Sequence, residues 1–427
     1  MRIEKKPTVK EIYFWNIFGS ACNACVSVLL LLIVTRMLDR VQSDIFGIGW
    51  AIAQLVLTIG TFQVRLYQAT DVVGRFTFKQ YLAFRVMTVG LMIASSAGYI
   101  LYYHYTGRKA LVVMLLCLYK AVEAVSDVIQ GWLQQKERLD LAGKALSART
   151  IFSCAVFLLL LRLTHDLVAG VTGMIICSVI CLFLYELRII AGNAFQTKSE
   201  EAFSLKAVRE LALTCLPLFL NAFLVMSIFN APKLAVDRCI EGGFLQSGAQ
   251  TVYGIIFMPT SVINLMYIVF RPVITRMAIE WNQDHRSTFL RLMKGVLLKL
   301  AGLEVIILAG GFLLGIPVLS ILYGIDLTDV KTALMILLLA GGMNTFVNVI
   351  DNSLTVMRRQ YYLIIAYALT WAYSKTAAGL FVKRYGITGA AVTFISSMAV
   401  LLLLVLILFC VCLRKSGSEQ KTKDDRK

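Results

Sequence analysis

The segment LYKAVEAVSDVIQGWLQQKERLD, Leu118 to Asp140, decides how the rest of the chain is read. Inside an otherwise apolar run it carries Lys120, Glu123, Asp127, Gln130 and Gln134. Steps of three and four residues put all five on one side of an α-helix. A charge at membrane depth costs roughly 2.5 to 3.5 kcal/mol on insertion scales, so such residues face a protein interior or a watery cavity. Two readings follow: Lys120 and Glu123 neutralise each other as a structural pair, or this face walls a cavity.

Composition sets the class. The 427 residues are 59% hydrophobic and only 16% charged, with a mean hydropathy of +0.76. Soluble domains are about 45 to 50% apolar. Apolar runs long enough to span a bilayer occur at 12–34, 45–62, 81–103, 110–130, 146–163, 167–185, 211–231, 249–270, 292–314, 330–350, 362–382 and 388–413. The expected fold is an all-α polytopic membrane protein of about twelve spans. The net charge of +17 would suggest nucleic acid in a soluble protein. Here most of the Lys and Arg fall in alternate loops, so the positive-inside rule puts both termini in the cytoplasm. The basic tail from Arg414, with Lys415, Lys421 and Lys423, fits the same orientation and favours anionic lipid. The first run lacks a small-residue cleavage site and reads as a retained anchor.

Nearly all of the ten cysteines lie in the spans, where cysteine behaves as a small hydrophobe. Cys22 and Cys25 form a CxxC without a second pair, so no metal site is expected. Cys239 alone is expected outside the spans.

The polar stretch from Arg188 to Arg209 divides the chain into two six-helix lobes, 1–195 and 209–413, with a cytoplasmic linker at 196–208 and a tail at 414–427. Basic amphipathic stretches beginning at Arg65 and Arg271 occupy matching places in the two lobes. This is the pattern of a parallel repeat about an axis along the membrane normal, whose substrate sites lie between the lobes.

Polar stripes mark further helix faces: Asn16, Ser20, Asn23 and Ser27 in the first span, and Trp50, Gln54, Thr58, Thr61 and Arg65 along the second. The seventh carries Asn230, Lys233 and Asp237, the tenth Asn344, Asn348 and Asp351, and the eleventh Tyr367, Trp371 and Lys375. Interhelical hydrogen bonding explains any one of them; their number favours a cavity. Pro217 and Pro232 mark a bend in the seventh span and Pro259 a kink in the eighth. Gly310, Gly311, Gly341 and Gly342 read as close-packing sites.

No enzyme motif is present: GxxxxGK[ST], HExxH and GxSxG are absent, and the three histidines, His104, His165 and His285, lie in or beside loops. The longest external loops, near Pro232 and Ile316, are too short to form a domain.

With TRMLDR and IFGIGWAIAQL at the exit of the first helix, the Lys120 segment, and NAPKLAVD with YGIIFMPTSVINLMYIVFRPVITRMA in the second half, the chain resembles the bacterial polysaccharide flippases. These belong to the superfamily that also holds the multidrug and toxic compound exporters and the lipid II flippases. A departure is LDR at Leu38, where relatives more often have Leu-Gly. The resemblance implies translocation of a polyprenyl-pyrophosphate-linked oligosaccharide from the cytoplasmic to the outer leaflet of the bacterial cytoplasmic membrane, by alternating access. It implies a monomer without cofactor or metal, and polysaccharide polymerase or glycosyltransferases as partners. The candidate cations for the pyrophosphate are Lys120, Lys233, Lys299, Lys375, Arg36, Arg65 and Arg271. Glu123, Asp127, Asp237 and Asp351 are the candidate acids, to balance them or to carry a coupling proton or sodium ion. Asn16, Asn23, Gln54, Asn230, Asn344 and Asn348 are the candidate polar lining. The alternatives are a cation-coupled multidrug exporter and a membrane-embedded glycosyltransferase or ligase. The exporter would need acids in the first or seventh helix, where this chain has Asn and Ser.

Overall fold

A computed structural model describes residues 7–71, 74–193, 204–266 and 270–424. Its elements are helical throughout the described residues, and nine helical segments are long and apolar enough to cross a membrane. The first half comprises α1 (Val9–Met37), α2 (Arg40–Thr61), the short α3 (Val64–Thr70), α4 (Phe78–Tyr102), α5 (Gly107–Gln135), α6 (Leu139–Thr164), α7 (Leu167–Cys181) and α8 (Arg188–Asn193). The second comprises α9 (Leu205–Glu241), α10 (Ala249–Met266), α11 (Arg271–Asn282), α12 (Arg286–Gly310), α13 (Ile316–Tyr323), α14 (Lys331–Val356) and α15 (Leu363–Asp424). Each expected span falls on one of these helices, the last two on α15, which is broken by Gly386 (φ 60°, ψ −136°). An L side chain rarely adopts that conformation, so glycine permits the break.

The chain divides into two compact units, Met1–Met226 and Ser227–Lys427, and the division falls inside α9. The order of elements repeats between them. In the first unit α5 packs on α2, α3 and α4; in the second α14 packs on α10, α11 and α12. The two amphipathic stretches expected at matching places are α3 and α11. The apolar core of the first unit gathers Val64, Phe76, Tyr81, Phe84, Val128, Ile129, Trp132 and Leu133. That of the second includes Val296, Leu300 and Val349.

Several sequence expectations are corrected. α9 runs through Pro217 and Pro232 to Glu241, so no external loop begins at Pro232 and Cys239 is buried in the helix. A proline removes one backbone hydrogen bond, a loss that neighbouring groups in a membrane protein can absorb. The chain near Ile316 is also helical: a π-helical turn at Gly311–Gly315 leads into α13 with the backbone helical throughout, and Pro317 follows that turn, where the hydrogen-bond pattern is already shifted. Of the four glycines expected at close contacts, Gly311, Gly341 and Gly342 face neighbouring side chains, whereas Gly310 has open space. The linker at 196–208 lies outside the described residues up to 203, as do 425–427 of the tail.

The LDR departure has a structural use. Leu38 ends α1 in extended backbone, and Asp39 caps α2, its carboxylate accepting from the Gln42 backbone N–H at 2.8 Å. That bond, with a second from the Gln42 side chain, holds the Asp39 carboxyl below its ordinary value of 3.8. A lowered value means that the stabilisation is present above pH 3.8 and is lost as pH falls through the lower folded value.

α1 lies along α6 where two glycines meet. A Cβ on Gly143 would stand 2.1 Å from the Trp15 carbonyl oxygen, and one on Gly19 2.7 Å from that of Gly143. Backbone cannot yield as a side-chain tip can. Two outcomes are expected from thermal unfolding of the detergent-solubilised chain. Gly143→Ala lowers stability by about 1 to 3 kcal/mol, the usual penalty of overpacking; an unchanged melting curve would refute the close crossing. Asp39→Ala costs about 1 kcal/mol or less at neutral pH, and the difference from the parent chain vanishes in strong acid.

Candidate functional site

α5 owes its place to its apolar residues and its chemistry to the polar row between them. Val112, Val113, Leu116, Val128, Ile129 and Leu133 are buried, and they turn the Lys120 face towards α2 and α4. Lys120 is 3% exposed. Its Nζ lies 2.6 Å from Glu123 Oε2 and 4.4 Å from the centre of the Trp50 ring. The structural pair that the sequence allowed is therefore formed, with an aromatic face completing the cation's surroundings.

One turn on, Asp127 is shared by two guanidinium groups: Arg85 Nη2 at 2.9 Å and Arg65 Nη1 at 3.5 Å. Arg85 is wholly enclosed, with 0% of its surface exposed. It also donates to the carbonyl of Gly60, which accepts from Thr88 Oγ1 at 2.8 Å as well. Gly60 lies in the last turn of α2, where helix carbonyls lack their own partners and favour positive charge. The partners that α2 lacks are supplied by α4.

Arg65 arrives by a different route. Phe62 and Gln63 take left-handed backbone, φ 47° and 54°, and end α2 before α3 begins. Arg65 thus does not continue the Trp50 to Thr61 stripe as one helix face, a correction to the sequence reading. The turn brings its guanidinium over α5, where Gln130 Oε1 accepts from Nη1 at 2.9 Å and Gln134 Oε1 from Nε at 3.3 Å. Gln130 in turn donates to Ser126 Oγ at 2.9 Å, and Ser126 donates to Glu186 Oε1 at 2.6 Å. Arg149 Nη1 stands 3.9 Å from the same Glu186 oxygen. Glu186 sits in a π-helical turn, Leu182–Leu187, that follows α7; such turns often occur at functional positions.

Sequence reasoning missed Arg85, Arg149 and Glu186. The signal was available, since Arg85 and Arg149 lie inside expected spans and Glu186 one residue beyond another. The cluster sets Lys120, Arg65, Arg85 and Arg149 against Glu123, Asp127 and Glu186. One positive charge is left over, and each carboxylate has a cation beside it. A pocket of about 300 Å³ opens on the cluster, lined by Thr61, Gln63, Arg65, Leu66, Ala69, Asp127 and Gln134.

The other candidate residues have the following surroundings, each within its own unit. In the first unit Arg36 and Asn23 are exposed, and Asn16 and Gln54 half-buried. In the second, Lys233 is half-buried with its Nζ 4.4 Å from the Phe257 ring centre, and Asn230 and Asp237 are buried near it along α9. Lys299 and Lys375 are exposed, the latter 5.2 Å from the Trp371 ring centre. Asp351 accepts a hydrogen bond from the Tyr367 hydroxyl; Asn344 is buried and Asn348 half-buried. Arg271 begins α11, and its side chain lies outside the described residues. Among the described residues no cluster of His, Cys, Asp and Glu has the makings of a metal site.

No model of a known family matches the sequence, and no curated protein does. Solved structures do match. An inward-facing multidrug resistance MATE family transporter of the MOP superfamily is 12% identical, with 95% of this chain and 99% of that one covered and a TM-score of 0.70. A mutant of the Vibrio cholerae MATE transporter VcmN is 11% identical over 95% of this chain and 97% of its own, with a TM-score of 0.61. A MOP superfamily transporter from Pyrococcus furiosus, described as having a binding pocket of reverse polarity, is 12% identical over 96% and 95%, with a TM-score of 0.55. The chain therefore has the all-helical, multi-pass membrane fold of MOP superfamily transporters.

Removing Arg85 strands Asp127 with one partly exposed partner and Gly60 with one donor fewer. Arg85→Met is expected to destabilise the chain by about 3 to 5 kcal/mol, the cost of an uncompensated buried charge. Arg85→Met with Asp127→Leu should recover much of that loss in the same thermal assay. Equal loss in both variants would mean that the ion pair is not what Arg85 contributes.

Proposed function

We propose that this chain is a transporter of an anionic, lipid-linked substrate: a flippase carrying polyprenyl-pyrophosphate-linked oligosaccharide to the outer leaflet for surface polysaccharide synthesis. The reading includes alternating access, residence in the bacterial cytoplasmic membrane and cytoplasmic termini. One observation carries it. In the α5 cluster each carboxylate stands beside a cation and one positive charge remains. A cationic drug entering there would meet a net positive charge, with the lining acid Asp127 already held by Arg65 and Arg85, whereas a pyrophosphate would meet a favourable field. α1 adds no acid beyond its first turn, where Glu11 lies. Solved MATE transporters 11 to 12% identical are equally compatible with the multidrug alternative, and likeness at that level speaks for the fold.

The lipid tail would remain in the bilayer while the headgroup passes, so the protein has only the polar part to enclose. Glu123 and Asp127 then serve to keep the cations compatible with burial when no substrate is present. Lys233, beside Phe257, is the second-unit residue suited to the same ligand.

The experiment is reconstitution of the full chain in vesicles holding a pyrophosphate-linked oligosaccharide on one leaflet, scored by exposure of the sugar to an impermeant glycosidase. The parent chain should expose the sugar. The variant Arg65→Gln, which removes the excess positive charge at the pocket and leaves Asp127 paired with Arg85, should slow exposure by about tenfold or more, the scale of one lost hydrogen bond to a charged group. Uptake of a cationic dye with no movement of the sugar would overturn the proposal in favour of multidrug export.

A further inference from the structure

Asp127 has two partners of unequal kind. Arg85 is enclosed, 2.9 Å away, and fixed by the Gly60 carbonyl. Arg65 is longer at 3.5 Å, and the two side chains are 32% and 20% exposed. Arg65 also lines the 300 Å³ pocket, with Gln134 and Asp127 beside it. If Arg65 turned from Asp127 to another anion, Asp127 would still have Arg85. Arg85, wholly enclosed and absent from the pocket lining, is not placed to make the same exchange.

We infer that this pocket is a phosphate-anion site closed by an exchangeable counter-ion, in which the incoming phosphate displaces Asp127 from Arg65 while Arg85 retains Asp127. The inference rests on the anionic substrate proposed above and adds where its charged group is first held and what competes with it. Gln130 and Gln134 hold the Arg65 guanidinium by two of its nitrogens, so the donor is in place before the ligand arrives and little ordering is needed on binding. Arginine suits the role, because its planar donors match phosphate oxygens. Leu66, more than half exposed, and Ala69 form an apolar side of the same pocket, a surface against which a hydrocarbon chain can rest.

Asp127 makes the site reversible. A guanidinium with no internal competitor would hold a phosphate tightly and release it slowly, since affinity among related complexes is set mainly by the rate of leaving. A carboxylate waiting at 3.5 Å restores the neutral pair as the ligand departs.

The test is titration calorimetry on the full chain in uncharged detergent, with inorganic pyrophosphate and geranylgeranyl pyrophosphate as separate probes. Asp127→Asn should bind pyrophosphate about tenfold more tightly, the scale of removing one partly exposed charge at this distance. Arg65→Gln should weaken binding by a similar factor, and Asp127→Asn should gain much less in the Arg65→Gln background than in the parent, the remainder being direct repulsion from a carboxylate that lines the pocket. Gln134→Leu, which frees one nitrogen of Arg65, supplies a second handle at the pocket rim and should weaken binding severalfold even where Asp127→Asn gives too little folded protein. Tighter binding of the prenylated probe would assign the site to a lipid headgroup, and equal binding to a soluble phosphate; both support the site. Unchanged affinity in Asp127→Asn, or a gain as large in the Arg65→Gln background as in the parent, overturns the exchange. Absence of pyrophosphate binding in a chain that still moves the lipid-linked sugar overturns this inference and leaves the transporter reading. Binding with the expected pattern but no sugar movement supports the site and refutes that reading.

Discussion

The ion pair between Arg85 and Asp127 is the constraint on which the first unit depends. A charge inside a membrane protein persists when its partner is fixed and the remaining donors are occupied. Arg85 meets that condition in part, through a helix end: its Nη2 faces Asp127 and its Nη1 the Gly60 carbonyl in the last turn of α2, which Thr88 also serves, while its Nε has no hydrogen-bond partner among the described residues. The termination of α2 at Phe62 and Gln63 thus has consequences beyond the turn. It leaves a carbonyl for Arg85 and redirects the chain so that Arg65 crosses α5. Gln68, fully buried on α3, presses on Gly131, where a Cβ would fall 2.3 Å from the end of its side-chain amide. α3 and α4 are thus held against α5 by Arg65 and Arg85, and α4 against α2 by the carbonyl that the end of α2 leaves free.

The remaining charges extend the same logic. Ser126 and Gln130 connect the Arg65 side of α5 to Glu186 and Arg149, so the cluster crosses from α3 to the π-helical turn after α7 without an isolated carboxylate. Each charge is made tolerable by the next. Such an interior suits a ligand whose charge can replace one member of a pair, and it disfavours a ligand of the sign already in excess. That is the physical content of the anionic-substrate proposal, and it is a property of side chains that the fold alone does not determine.

The fold could be read from the sequence because the bilayer imposes length and hydropathy on each span. Even the repeat was visible, in the basic stretches that became α3 and α11. What could not be read were the places where a breaker does not break, or where a break comes without one. Pro217 and Pro232 lie inside one helix, whereas α2 stops at Phe62 and Gln63, neither of which signals a stop. The site divides in the same way. Lys120, Glu123, Asp127, Gln130 and Gln134 were visible as a face because spacing along one helix is a local property. Their partners Arg85, Arg149 and Glu186 lie on other helices, and periodicity carries no information about which helix faces which. The cost of a buried charge should have prompted the search for them, since an acid at depth implies a cation nearby.

The Arg85 to Asp127 pair can be observed directly. Solid-state magnetic resonance on the full chain in lipid bilayers, with nitrogen-15 arginine and carbon-13 aspartate, detects a guanidinium and a carboxylate in contact through their dipolar coupling. The expected result is an arginine to aspartate cross-peak, consistent with the 2.9 Å contact, that disappears in Asp127→Asn and persists in Arg65→Gln. An unchanged set of cross-peaks in Asp127→Asn would contradict the account.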